Sequence, residues 1–202
     1  MDHPSEPPAE HLIVVPSHAL ILLIGASGAG KSRFARQQFQ PTEILSSDAF
    51  RAMVADDEAD QRATPAAFDL LHRVASHRLT RARLTVIDAT NLKAVDRRSL
   101  LDLARKLDRP AVGIVFGLPD ATVAAHNERR PGRVVDSGVV ARQNAVARDL
   151  AADPGQLLEE GFRAVHVLRD PADAQAVRVV RTGRPRPTGS PTPKDGPRGR
   201  TA

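Results

Sequence analysis

The chain has 202 residues, 41% of them hydrophobic, no cysteine and a formal net charge of +5. That length fits one domain with a sizeable core, and the lack of thiols excludes disulfides and thiolate metal sites. Residues 182–202 hold Arg184, Arg186, Lys194, Arg198 and Arg200 against Asp195 alone, so residues 1–181 are left with one basic residue in excess. A nearly neutral domain predicts no broad face for tracking phosphates.

Residues 1–10 are rich in Pro and Glu and predict a disordered start. It has no apolar stretch of the kind a signal peptide needs, and no run is long enough to span a bilayer. The expectation is a cytoplasmic protein with no membrane association. Leu12-Ile13-Val14-Val15 predicts a short edge strand before Pro16, and residues 19–24 a buried strand. The glycine loop Gly25-Ala26-Ser27-Gly28-Ala29-Gly30-Lys31-Ser32 follows, then a helix ending near Gln38. Pro41 breaks that helix; residues 44–46 predict a short strand with Asp48 at its C-terminal end, residues 49–55 a helix and residues 56–60 a charged loop. Pro65 suits the first turn of a long helix to about Arg81, with Phe68, Leu71, Ala75 and Leu79 on one face.

Leu84-Thr85-Val86-Ile87-Asp88 predicts a strand ending in an acid, and residues 96–107 a helix striped by Leu100, Leu103 and Leu107. Residues 112–116 predict a further buried strand, Pro119 a helix to about Arg129, residues 136–152 another helix and residues 164–168 a last strand. Strands alternating with helices imply an α/β fold whose mainly parallel sheet is covered on both faces. Ligands of such sheets bind beyond the strand C-termini, where the glycine loop, Asp48 and Asp88 would gather. The domain is expected over residues 11–181. Residues 182–202, Pro-rich and without large apolar side chains, predict a disordered basic tail.

Residues 25–32 read G-x-x-x-x-G-K-S between a strand and a helix, the context of a P-loop. Small residues let successive backbone N–H groups turn toward phosphate oxygens, and the next helix points its positive end at them. Lys31 supplies a compact charge for the β- and γ-phosphates, and the Ser32 hydroxyl a ligand for Mg2+. Only four lysines stand against twenty-five arginines in the chain, and the two cations are not interchangeable at such a site. The motif predicts binding of a nucleoside triphosphate, ATP with Mg2+, along Gly25, Ala26, Ser27, Gly28, Ala29, Gly30, Lys31 and Ser32.

Asp48 and Arg51, one helical turn apart, place a base beside a cation. The base can accept the proton of an attacking hydroxyl and the arginine can hold a neighbouring phosphate. Read alone, the pair also fits a helix N-cap with a surface ion pair. In Asn127-Glu128-Arg129-Arg130-Pro131-Gly132-Arg133, arginines flank a Pro-Gly break, as suits a lid closing on a triphosphate; a solvated basic turn fits as well. His72 and His77 face different sides of one helix and predict no metal pair. Six Phe with no Trp or Tyr argue against base stacking by a general single-strand binder.

Together these stretches carry a resemblance. From Leu20 to Leu168 the chain resembles the kinase module of bacterial polynucleotide kinase-phosphatase, and more distantly bacteriophage polynucleotide 5′-kinase. The resemblance lies in Gly25 to Ser32, Ser46-Ser47-Asp48 with Arg51, and Asp56-Asp57-Glu58 with Asp60-Gln61. It continues in Thr85 to Asn91, Val115-Phe116 with Leu118-Pro119, Asn127 with Arg130 and Arg133, and Glu160-Gly161-Phe162. It implies an adenylate-kinase-like P-loop fold with a small Arg-bearing lid, and ATP-dependent phosphorylation of a nucleic-acid 5′-hydroxyl end. By the same resemblance Asp48 is the general base, Arg51 holds the acceptor's phosphate, Lys31 and Ser32 bind phosphate and Mg2+, and Arg130 with Arg133 are lid arginines. Gln61 matches a further polar site residue, and Asp88 stands where an acid orients the metal's waters or merely caps its strand. Gly132 departs from the acid often found there. The chain has room for neither the phosphatase nor the ligase module, and a kinase of a small-molecule hydroxyl stays open as the alternative. A nucleotide-gated regulator is a third reading, one that has no use for a base at the acceptor position.

Overall fold

Leu20 to Ile24 are all fully buried, as a central strand between two helix layers requires. The computed structural model, which describes residues 12–129 and 135–183, makes this segment β2, the middle of a five-stranded sheet. The other strands are β3 (Ile44–Ser46), β4 (Thr85–Asp88), β5 (Ala111–Phe116) and β6 (Ala164–Leu168), in the order β3-β4-β2-β5-β6. Every pairing is parallel. The chain steps to one side of β2 for β3 and β4 and to the other for β5 and β6. The strand order therefore reverses at the C-terminal end of β2, where α/β sheets open a ligand crevice.

Alternation along the strands splits the core in two. Ile21, Leu23, Ile114 and Phe116 face α1 (Lys31–Gln38), where the rings of Phe34 and Phe116 meet edge to face at 5.4 Å. Leu20, Leu22, Ile87 and Val115 face the opposite layer, built from α3 (Thr64–Thr80) and α4 (Ala94–Lys106). Leu71, Ala75 and Leu79 of α3 are buried there, on the stripe expected of them; Phe68 is half-buried against it. The remaining helices are α2 (Ser47–Ala55), α5 (Asp120–Glu128), α6 (Ser137–Ala152), α7 (Gly155–Glu160) and α8 (Pro171–Ala176).

Three features differ from expectation. Strand β1 (Leu12–Pro16) is not an edge of the main sheet; it pairs in parallel with β7 (Arg178–Thr182) in a sheet of two. Ile13 and Val15 point into the core while Leu12 and Val14 stay exposed. β7 was not expected, and it carries regular structure to Thr182, one residue beyond the expected domain boundary. The short helices α7 and α8 were not expected either. Residues 1–10, the lid arginines Arg130 and Arg133, and the tail from residue 184 lie outside the described residues.

Candidate active site

The glycine loop leaves β2 at Gly25 and enters α1 through Gly30, which takes the left-handed conformation (φ 84°). Gly28 does so too (φ 83°), and a Cβ there would stand 2.9 Å from the carbonyl of Val123 on α5. Only glycine satisfies both constraints. The loop is braced from behind: Gly25 N–H donates to the Thr90 carbonyl at 3.0 Å, and Asn91 Nδ2 to the Leu23 carbonyl at 2.7 Å. Asn91 is buried with φ 49°, a conformation asparagine tolerates.

Lys31 is buried, and its Nζ donates to the carbonyls of Gly25 at 2.8 Å and Ala26 at 2.7 Å. The register Ser46↔Asp88 sets the ends of β3 and β4 side by side. Asp88 is buried, accepts a hydrogen bond from Ser32 and feels the charges of Lys31 and Asp48. Burial pushes the Asp88 carboxyl above the usual range, and Asp48 adds to that; Lys31, Ser32 and Arg36 pull it part of the way back. Lys31, Ser32, Asp48 and Asp88 thus converge at one point beyond the sheet, as expected for a P-loop crevice.

Asp48 is not the cap of its helix. Ser46 fills that position, its hydroxyl accepting from Ala49 N at 3.5 Å. Asp48 is instead ion-paired with Arg51, whose Nε also donates to the Glu58 carbonyl at 2.8 Å. Arg51 is 4% exposed, so this is not a surface pair. Arg51 thereby fixes the Asp48 carboxylate. Gln61, on a short 3-10 turn (Gln61–Ala63), is exposed and bonds locally to Ala59 and Thr64.

Four contributors had no assigned role in the sequence reading. Gln143 of α6 accepts from Ser27 N at 2.9 Å, and the His126 ring lies 3.2 Å from the Gly28 carbonyl. The Asn127 side chain bonds both polar backbone atoms of Val135, at 2.7 and 3.2 Å, and so joins the two ends of the segment that bears Arg130 and Arg133. Arg97, 2% exposed, bonds the carbonyls of Asn91 and Leu92 and forms a two-pronged pair with Glu160. Asn127 and Glu160 are legible only as motif letters, because their partners are distant in sequence; nothing in the local pattern marks Gln143 or Arg97.

The donor set fits ATP and Mg2+. Backbone N–H groups at a helix N-terminus and a buried lysine suit a triphosphate. Ser32 with Asp88 suits a small hard cation that keeps waters and needs only one or two protein ligands beside the phosphates. Among the described residues no three His, Cys, Asp or Glu side chains gather as a metal cage, and no helix is long and apolar enough to cross a membrane.

Comparison with known proteins agrees with this geometry. A chain of the Pnkp1/Rnl/Hen1 RNA repair complex superposes with a TM-score of 0.56 at 19% identity, covering 79% of this chain and 49% of that one. A Chloroflexus aurantiacus protein, named as a kinase candidate, superposes with a TM-score of 0.51 at 16% identity, covering 76% and 88%. These likenesses establish the P-loop kinase fold. No curated protein sequence matches the chain. The model of the AAA domain family matches residues 20–150, the span that holds the glycine loop, Asp48 and Asp88, and the chain belongs to that family.

Proposed function

We propose that the protein transfers the γ-phosphoryl group of ATP to an alcohol, and that the alcohol is the 5′-hydroxyl of a polynucleotide. The observation that carries the transferase reading is the position of Asp48. A half-exposed carboxylate, not used as a cap and fixed by Arg51, lies within electrostatic reach of the Ser32–Asp88 pair beside the phosphate loop. A nucleotide switch has no use for such a group, whereas a kinase uses it to take the proton from an attacking hydroxyl. Lys31 would shift from the loop carbonyls to the β- and γ-phosphates, and Ser32 with Asp88 would hold Mg2+, which supplies charge neutralisation on the phosphates. The polynucleotide acceptor rests on the motif resemblance and is supported by the likeness in fold to a chain of an RNA repair complex.

One observation favours a small-molecule acceptor instead. Arg51 is buried and engaged with both Asp48 and the Glu58 carbonyl, so gripping an acceptor phosphate would require it to share or leave these partners. Two acceptors separate the readings, a nucleoside 3′-monophosphate and the bare nucleoside. If Arg51 binds the adjacent phosphate, the monophosphate is the better substrate by roughly ten- to a hundredfold in kcat/KM, the worth of a charge-assisted contact, and Arg51→Ala erases the difference. Equal use of both, or preference for an unrelated alcohol, transfers the assignment to a small-molecule kinase.

A further inference from the structure

Where β5 starts, at Ala111, the fold leaves a cavity of about 570 Å3. It lies at the N-terminal ends of the parallel strands, about 17 Å from the phosphate loop along the five residues of β2. Its size falls within the range of small-molecule sites. Two alanines make the room. Ala104 of α4 and Ala111 of β5 are buried in its lining, with Leu101 about one turn before Ala104. A floor of this kind takes the apolar part of a ligand.

The rim is cationic. Arg105, Arg109, Arg163 and His18 line the cavity against a single acid, Asp108. Arg109 is fixed in place, its Nε donating to the Leu79 carbonyl at 2.9 Å and its Nη1 to the Asp108 carbonyl at 3.3 Å. Arg105 Nη1 bonds Asp102, which lies outside the cavity, at 2.7 Å in an exposed pair. Its Nη2 lies 3.1 Å from where a Cβ of residue 161 would stand. Gly161 keeps that approach open, at a φ of 115° that glycine adopts freely. Arg163 follows the buried Phe162, and its N–H donates to the Ala111 carbonyl at 2.8 Å. The turn is thus fixed while the Arg163 side chain is exposed. Helix C-termini attract cations, and Arg109 serves one in α3. The side chains of Arg163 and His18 make no hydrogen bond or ion pair among the described residues, so they exceed that need.

We infer that this cavity binds a small organic dianion, a phosphomonoester or a dicarboxylate. Its charged group meets Arg105, Arg109 and Arg163, and its apolar part lies on Leu101, Ala104 and Ala111. Guanidinium forks match the oxygens of either group. Three lining arginines less one lining aspartate leave two net positive charges, which a dianion balances. The site is remote from the phosphate loop and does not depend on the kinase reading.

The test is a proton–nitrogen NMR titration of the full chain, without ATP or Mg2+, with phenyl phosphate, phthalate and neutral benzyl alcohol. Reading each amide separates this cavity from the phosphate loop, which can itself take a phosphate group. Saturable shifts are expected at Ala111, Gly161 and Arg163 with at least one dianion, half-complete at about 1 mM or below. The tighter dianion names the charged group, and benzyl alcohol is expected to leave these amides unmoved. Arg105→Gln/Arg163→Gln changes two exposed side chains; it is expected to keep its unfolding temperature and to weaken this binding by about tenfold or more. A control with two exposed arginines changed elsewhere, Arg73→Gln/Arg98→Gln, is expected to weaken it by less than about threefold, the effect of distant screened charge. Shifts absent from these amides or confined to residues 25–32 would overturn the inference. So would equal binding of benzyl alcohol, or equal losses in the two variants.

Discussion

Lys31, Asp48 and Asp88 carry different physical demands, and each predicts its own result. Lys31→Ala removes the cation proposed to meet the β- and γ-phosphates while leaving a loop that backbone contacts still brace. Phosphoryl transfer should fall by several kcal/mol in transition-state stabilisation, and activity within tenfold of wild type in a labelled-ATP assay would contradict the P-loop role. Asp48→Asn keeps shape but cannot take a proton; kcat should drop by roughly 10²- to 10⁴-fold with the KM for ATP little changed. Loss of ATP affinity with kcat intact would make Asp48 a structural or metal-shell residue instead. Burial raises the pKa of the Asp88 carboxyl above the usual range. A carboxyl whose folded pKa is raised favours folding below its unfolded pKa and loses that contribution as pH rises through the folded value. Asp88→Asn should therefore raise the unfolding temperature of the ligand-free protein at pH 8, with the gain shrinking as pH falls toward about 4. A destabilised variant at pH 8, measured by circular dichroism, would show that Lys31 and Ser32 outweigh burial.

Elements were legible in proportion to how far their own residues decide them. β2, β4 and β5 are continuous apolar runs, and α3 and α4 show a clear stripe, so pattern alone locates them. β7 is half-exposed to exposed and exists because β1, far away in sequence, offers it a ladder. The helices α7 and α8, six residues each, are too short for periodicity to register. The same division holds in the site: the glycine loop announces itself, whereas the Arg97–Glu160 pair joins residues 63 apart. Removing one member by Arg97→Ala leaves Glu160 and two carbonyls without their partner. The cost for a buried pair is about 3–5 kcal/mol, discounted here to about 2–3 because Glu160 is 26% exposed. Urea unfolding measures it, and a loss below 0.5 kcal/mol would refute the bracing role. Gly28→Ala meets both a positive φ and a Cβ 2.9 Å from a carbonyl. It should lower stability by about 1–3 kcal/mol and abolish ATP binding in calorimetry.

At the scale of the whole molecule, counting charges misled where folding sorted them. Residues 1–181 sum almost to neutrality, yet the topology collects arginines at one end of the sheet and the phosphate loop at the other. The P-loop fold was legible because one glycine loop between a strand and a helix constrains everything around it. The acceptor was not, because a base and a cation at Asp48 and Arg51 of α2 suit more than one alcohol. Phosphoryl transfer from γ-labelled ATP with Mg2+ to a 5′-hydroxyl oligonucleotide, run with wild type and Asp48→Asn against a panel of small alcohols, measures both the reaction and its acceptor. Label should appear on the oligonucleotide 5′ end with the wild-type chain and fall at least a hundredfold with Asp48→Asn. Label on a small alcohol alone, or equal transfer by the two proteins, would contradict a polynucleotide kinase that uses Asp48 as its base.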